Sequence, residues 1–329
     1  MKALAGAVLT LCLFAGRADA ACSPTGYAGL TAALVNPSGA VSGVVNATGC
    51  DIGVYFNQGT GQVKNAVVFG ALWYGVFVHG DVNDVSVDVL DSQISDIGDT
   101  PFNGNQRGVA VYYRAFFPAG GTATGRIAGN AIWDHQKGGI VTNGPGTNVE
   151  ITGNTVTGFG PVSFIAQNGI QVGYGASASV MRNTVTGHSY TGTSTVSGGI
   201  IVVGGPGYGT CPDGHPCPYT TGTRIVQNTV RDNNIGVFLT NLATFTGDPP
   251  PSQTNVKAVN NVISSAALQN TYGGFGYQAG IADTGNNDKL VANEISGAGY
   301  DSASYPWAYV VAIDADASFT TRAKVHAND

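Results

Sequence analysis

Positive charge is scarce in this sequence, which has 14 lysines and arginines against 20 aspartates and glutamates, a net −6 at pH 7 over 329 residues. A chain so poor in cations has no overall electrostatic footprint for nucleic acid. Charged residues of both signs make up only 10%, so solubility rests on Asn, Thr, Ser, Gln and exposed backbone. Long apolar runs are also missing. The run Leu4–Phe14 is too short to span a bilayer and nothing later approaches that length, which excludes a helical membrane span. No EF-hand spacing is present, and no compact pair of acids is visible anywhere along the chain.

Glycine, in contrast, is abundant at 49 residues. That composition suits tight turns between short strands and argues against long helices. The chain opens with Lys2, the short apolar run and Ala18-Asp19-Ala20, the pattern of an export signal cleaved after residue 20. A secreted or periplasmic product is the expectation. Four cysteines follow that segment: Cys22, Cys50, Cys211 and Cys217. In an exported chain an even set favours disulfides, with Cys211 and Cys217 clamping a turn and Cys22 and Cys50 tying down the start. A metal held by Cys211, His215 and Cys217 is the competing reading, and the oxidising compartment disfavours it.

Two marks alternate along the rest of the chain. An Asn-x-Val/Ile step begins at Asn65, Asn130, Asn154, Asn183, Asn228, Asn261 and Asn293; a Gly-Val/Ile step begins at Gly75, Gly108, Gly139, Gly169, Gly199, Gly236 and Gly280. From Asn130 onward successive Asn marks lie 24, 29, 45, 33 and 32 residues apart. Constant marks at variable spacing describe one coil of a solenoid carrying loops of different length. Asp91 fills the missing Asn position in the gap after Asn65. Stacked in register, the asparagines form an amide ladder at a turn, so they are scaffold rather than chemistry.

These GN-[TA]-[VI] and [GN]-G-I marks resemble the right-handed parallel β-helix proteins of the pectate-lyase-like superfamily, over most of the chain. The resemblance implies an all-β, single-domain parallel β-helix. It leaves the activity open among lyases, hydrolases, epimerases, esterases and non-catalytic surface proteins. Residues 21–50 read as an N-terminal cap with a short helix at Tyr27–Val35, 51–317 as the β-helix and 318–329 as a polar tail.

Aligning coils on the Gly of each Gly-Val/Ile step predicts columns of outward side chains. Trp73, Gln106, Lys137, Gln167, Ser197, Asn234 and Gln278 fall in one; Phe77, Ala110, Val141 and Gln171 in the next; His79, Tyr112 and Asn143 in a third. Amides, cations and rings on an extended face suit an extended glycan. The densest cluster joins Arg107, Tyr112, Tyr113 and Arg114, then Asp134, His135, Gln136 and Lys137, then Gln167, Asn168, Gln171 and Tyr174. A lyase acting on a uronate needs a base, a carboxylate neutraliser and an acid. Lys137 or His135 fits the first role, Arg107 or Arg114 the second, and Tyr112 or Tyr174 the third. A hydrolase would use Asp134 with a carboxyl from another coil, Glu150, Asp232 or Asp283. Uronate epimerisation and glycan binding without turnover are the remaining readings. The run Asp81, Asp84, Asp88, Asp91, Asp96 and Asp99 makes calcium the one admissible cofactor. The expected partner is a polysaccharide, met by a monomer.

Overall fold

A computed structural model describes residues 21–117, 120–315 and 320–329; the expected export signal lies outside the described residues. The chain folds as a single-domain parallel β-helix. One sheet of 11 strands runs the length of the molecule, and every pairing in it is parallel except the first, where Ser23–Pro24 meets Thr31–Ala32 antiparallel. A second sheet of 17 strands turns a corner along the asparagine line, so each full coil has three faces. Strands are short, from 2 to 11 residues, because a turn residue interrupts each side of the coil. The short helix expected at Tyr27–Val35 is absent. Thr31–Val35 is a strand paired in parallel with Ile52–Phe56, since β-sheet hydrogen bonding to the next coil outweighs the local propensity of Ala and Leu. At the other end Lys324–His326 joins the second sheet beside Lys289–Val291.

The core is a stack of branched side chains. Val76, Val111, Ile140, Ile170, Ile200, Val237 and Ile281 follow one another in register down the first sheet, all fully buried. A glycine precedes each of these except Val111, because the coils leave little room there for a side chain. A Cβ on Gly169 would lie 2.4 Å from Val185 and 2.5 Å from the Gly199 carbonyl. One coil departs from the expected alignment. Val111, not Val109, stands against Ile140, because Gly108 lies in the left-handed region (φ 88°) before the strand and Ala110 takes the stacking place. That two-residue shift keeps the faces and sets Tyr113 in the inward place shared by Val78 and Thr142, its hydroxyl donating to the Val87 carbonyl at 2.6 Å. Tyr112 therefore joins Phe77 and Val141, and Arg114 joins His79 and Asn143.

The asparagine ladder forms as expected from Asn130 to Asn293 and continues to Asn328. In each step the side-chain amide and the backbone N–H both donate to the Oδ1 of the next asparagine, at 2.9–3.1 Å. Before Asn130 the position belongs to Ser92 rather than Asp91. Ser92 donates its N–H to Asn130 Oδ1, while Asp91 occupies the left-handed residue that precedes every rung. Asn65 sits at that same preceding position and is exposed.

Asp283 does point inward, as the alternation requires. It accepts from the Gly285 N–H at 2.8 Å and the Thr320 hydroxyl at 3.2 Å. Asp288 lies nearby, fully buried, with Oδ1 bonded to Thr254 and Val256 and Oδ2 without a partner among the described residues. Burial raises both acids above their ordinary pKa, and for Asp288 the charge of Asp283 adds to it and takes the carboxyl up to about 8. A native pKa above the unfolded one contributes stability that is full below the unfolded value of about 4 and is lost as pH rises through the native value. Thermal denaturation across pH is expected to show stability falling on the alkaline side, and Asp288→Asn should flatten that fall.

Candidate functional site

The expected cluster is divided by the fold into two places at opposite ends of the first-sheet strands. Lys137 precedes and Asn143 ends the strand Gly138–Asn143, a run of about 20 Å at strand rise. At the far end lies a groove of about 280 Å³ around Arg114, Tyr112, Asn143, Tyr174 and Tyr208, rimmed by the Cys211–Cys217 loop. Both expected disulfides are formed, as befits a chain that matures outside a reducing cytosol.

Arg114 is fixed from three sides. Its Nε–H donates to Asp81 at 2.7 Å, and its guanidinium lies between the rings of Tyr27 and Phe116, at 5.5 and 5.0 Å. Asp81 also accepts from the Phe116 N–H at 2.6 Å and meets His79 at 3.0 Å, while His79 meets the Tyr55 hydroxyl at 2.8 Å. Burial opposes the Asp81 charge, but the bonds from His79, Phe116 and Arg114 outweigh it and hold the carboxyl at about 2. His79 is thus a buried support beneath Arg114 rather than a surface ligand. Tyr112 is also nearly enclosed, stacked on Phe77 at 5.2 Å, and burial pushes its hydroxyl up to about 12. Gln171 donates to Asn143 at 3.1 Å, leaving an amide pair between Tyr112 and Tyr174.

At the other end, several expected site residues prove structural. His135 is fully buried, its Nε2 3.2 Å from that of His188, and burial holds its pKa well below that of a free imidazole. It is unavailable as a surface base because its ring is enclosed within the coils against His188. Gln167 is fully buried and ties loop to coil, donating to the His135 carbonyl and accepting from the Phe159 N–H. Ser197, Asn234 and Gln278 in the same column are likewise enclosed under loops. Gln106 leaves the column for an exposed loop, and Asn168 caps the Gly198 N–H at 3.1 Å. Arg107 is committed to Asp99, with Nε at 3.1 Å, and lies 5.5 Å over Trp73. Lys137 donates to the Ala166 carbonyl at 2.8 Å, and burial lowers its pKa to about 8. Arg107 is not among the causes of that shift. Tyr112 lies four residues along the strand direction from Lys137 in register, about 13 Å away. The three parts of a lyase centre are therefore not assembled.

What the sequence did not reveal is a cleft of about 360 Å³ lined by Asp96, Asp99, Thr100, Pro101, Phe102, Asp134, Phe159 and Phe164. Asp96 and Asp134 occupy the same left-handed turn on adjacent coils, as the Asp134 carbonyl accepting from the Ile97 N–H shows. Burial, and then the charge of Asp96, raises Asp134 above its ordinary pKa. Asp99 goes the other way. Its bond from Arg107, against slight burial, with further bonds from Gln136 and Asn105, holds it at about 2. The remaining acids of that run are dispersed: Asp81 to Arg114, Asp84 to the Thr122 N–H and Asp88 to Arg126. Among the described residues no three acid, histidine or cysteine side chains converge on one point. Of the proposed partners for Asp134, Asp232 lies at the same turn but on a coil further along, where it accepts from Ala266, and Asp283 is in the core.

The wall of this cleft hangs on one side chain. Fully buried Gln136 accepts from the N–H groups of Asp99 and Asn103 and donates to Asp99 and the Asn105 carbonyl. Gln136→Ala should loosen the loop 99–106 by about 2 kcal/mol, measured as faster amide exchange or proteolysis within it while the coils stay protected.

No protein-family model matches this chain, and no curated protein does. Among solved structures, the crystal structure of the Dettilon tailspike protein aligns over 88% of this chain and 55% of its own, with a TM-score of 0.46 and 14% identity. The chain thus spans about half the length of that protein. Among the described residues no helix is long and apolar enough to cross a membrane.

Proposed function

We propose that this β-helix is a carbohydrate-active protein that hydrolyses a glycosidic bond in the cleft at Asp134. The observation that carries the reading is a pair of carboxyls, Asp96 and Asp134, set at the same turn of adjacent coils beside one cleft. Asp134 is raised by burial and by the charge of Asp96, its neighbour on the next coil, and both face a cleft walled by Phe102, Phe159 and Phe164. A carboxyl raised by burial and by a neighbouring carboxylate is the environment a general acid needs in glycoside hydrolysis. Asp134 gives its proton to the leaving oxygen as the glycosidic bond breaks; Asp96 assists the attacking water by taking its proton. The exposed Phe rings supply apolar faces for sugar rings, with Phe102 and Phe159 5.5 Å apart, edge to face.

The test is incubation with neutral and uronate polysaccharides, following reducing ends and ultraviolet absorbance together. New ends without absorbance support hydrolysis. Absorbance with new ends means β-elimination and moves attention to Lys137, whose pKa of about 8 suits a base. Binding without turnover would return Asp134 to the role of a turn residue. That second reading draws on its left-handed backbone (φ 47°), a conformation Asp tolerates in any turn.

A further inference from the structure

The second sheet carries a column of outward side chains whose charge pattern changes halfway along. In register it reads Gln62, Asp88, Arg126, Glu150 and Ser179, then Arg224, Lys257, Lys289 and Lys324. The first part sets one cation between two acids, with Arg126 bonded to Asp88 at 2.8 Å and Glu150 opposite it in register. The second part is four cations on four successive coils, spaced about 4.8 Å at the backbone. Among the described residues none of the four makes a side-chain hydrogen bond or an ion pair. They line a groove of about 310 Å³ together with Gly222, Asn255 and Asn287.

Like charges directly opposite on neighbouring strands destabilise a sheet. A chain with only 14 cations in all nevertheless sets four of them in one row. We propose that this row is a binding site for an acidic polysaccharide lying along the helix axis, with one carboxylate or sulfate meeting each coil. The coil spacing is comparable to the length of one sugar ring, so regularly charged sugars match the row without distortion. Asn255 and Asn287, joined by a 2.7 Å hydrogen bond at the rim, offer amides to hydroxyls. The lining holds no aromatic ring on which a base could stack, so an acidic glycan fits better than a single-stranded nucleic acid. The row lies on a different sheet from the Arg114 groove and does not include the Asp134 cleft, so it stands whether or not that cleft turns substrate over.

The experiment is titration of the full chain with polygalacturonate and with chondroitin sulfate over a range of salt, with dextran as the neutral polymer and a single-stranded oligonucleotide as the rival. Binding of an acidic glycan but not of dextran is expected, weakening as salt rises. Lys257→Gln with Lys289→Gln should weaken it at least tenfold and lower the salt slope by about two. Arg182→Gln with Arg231→Gln, which removes the same charge elsewhere, should leave it nearly unchanged. An equal loss in both double variants, no binding of either acidic glycan, or tighter binding of the oligonucleotide at equal salt would overturn the proposal.

Discussion

Asn183→Ala is expected to cost this protein about 4 kcal/mol or more, measured by denaturant unfolding. The Asn183 side chain accepts from both the backbone N–H and the amide of Asn154, and it donates to the Ile151 carbonyl and to Asn228. Truncation to a methyl group abolishes all four contacts within a site that is 1% exposed. The groups left behind are buried with no water to replace what they lost, at about 1–3 kcal/mol each. Against a typical total margin of about 5–15 kcal/mol, this single rung decides whether the middle of the solenoid folds. Asn65→Ala, at an exposed position outside the ladder, should cost only the roughly 1 kcal/mol of placing Ala in its left-handed backbone. Equal effects at the two sites would show that the ladder is not a stabilising device.

Asp134→Asn is the second large effect, and it falls on activity. A positioned general acid contributes about 10²–10⁴-fold, so turnover should drop by that order while the fold survives, because Asn tolerates the left-handed turn as well as Asp does. The sign of the stability change makes the test specific. Because burial raises Asp134 in the native state, its contribution is full below the unfolded carboxylate range and is lost as pH rises through its native pKa. At neutral pH the Asn variant should therefore be as stable as the parent or slightly more so, and yet inactive. The parent's rate should decline on the alkaline side as Asp134 loses its proton. A fully active variant would remove Asp134 from the chemistry, and an unfolded one would make it a turn residue whose loss explains the inactivity.

The asparagine rungs could be read directly because each satisfies a requirement that repeats every coil: a buried turn must bond its own backbone, and Asn does so with one side chain. The Gly-Val/Ile marks were legible for the same reason, as the closeness of Gly169 to the next coil's carbonyl illustrates. Both disulfides followed from cysteine count and spacing. The columns of surface residues were less secure, because a glycine can be required by packing or by backbone conformation. Gly108 serves the second purpose, so aligning on it displaced Tyr112 and Arg114 by one place each along their face.

The loops lay beyond such reasoning altogether. Nothing in a one-dimensional pattern tells that the segment 99–106 folds back onto Gln136, or that Gln167 spends its amide on the His135 carbonyl beneath the turn at Phe159. Those contacts turn expected ligands into supports and open the cleft in which Asp96 and Asp134 meet from 38 residues apart. By itself, then, the sequence determined the coil, its rungs and its inward stack, since these are set by local periodicity repeated against an identical neighbour. Only the tertiary structure decided which polar side chains are supports, which carboxyls share a cleft and which cations line up unpaired, because each depends on the register and loop closure between coils rather than on any residue's neighbours in the chain.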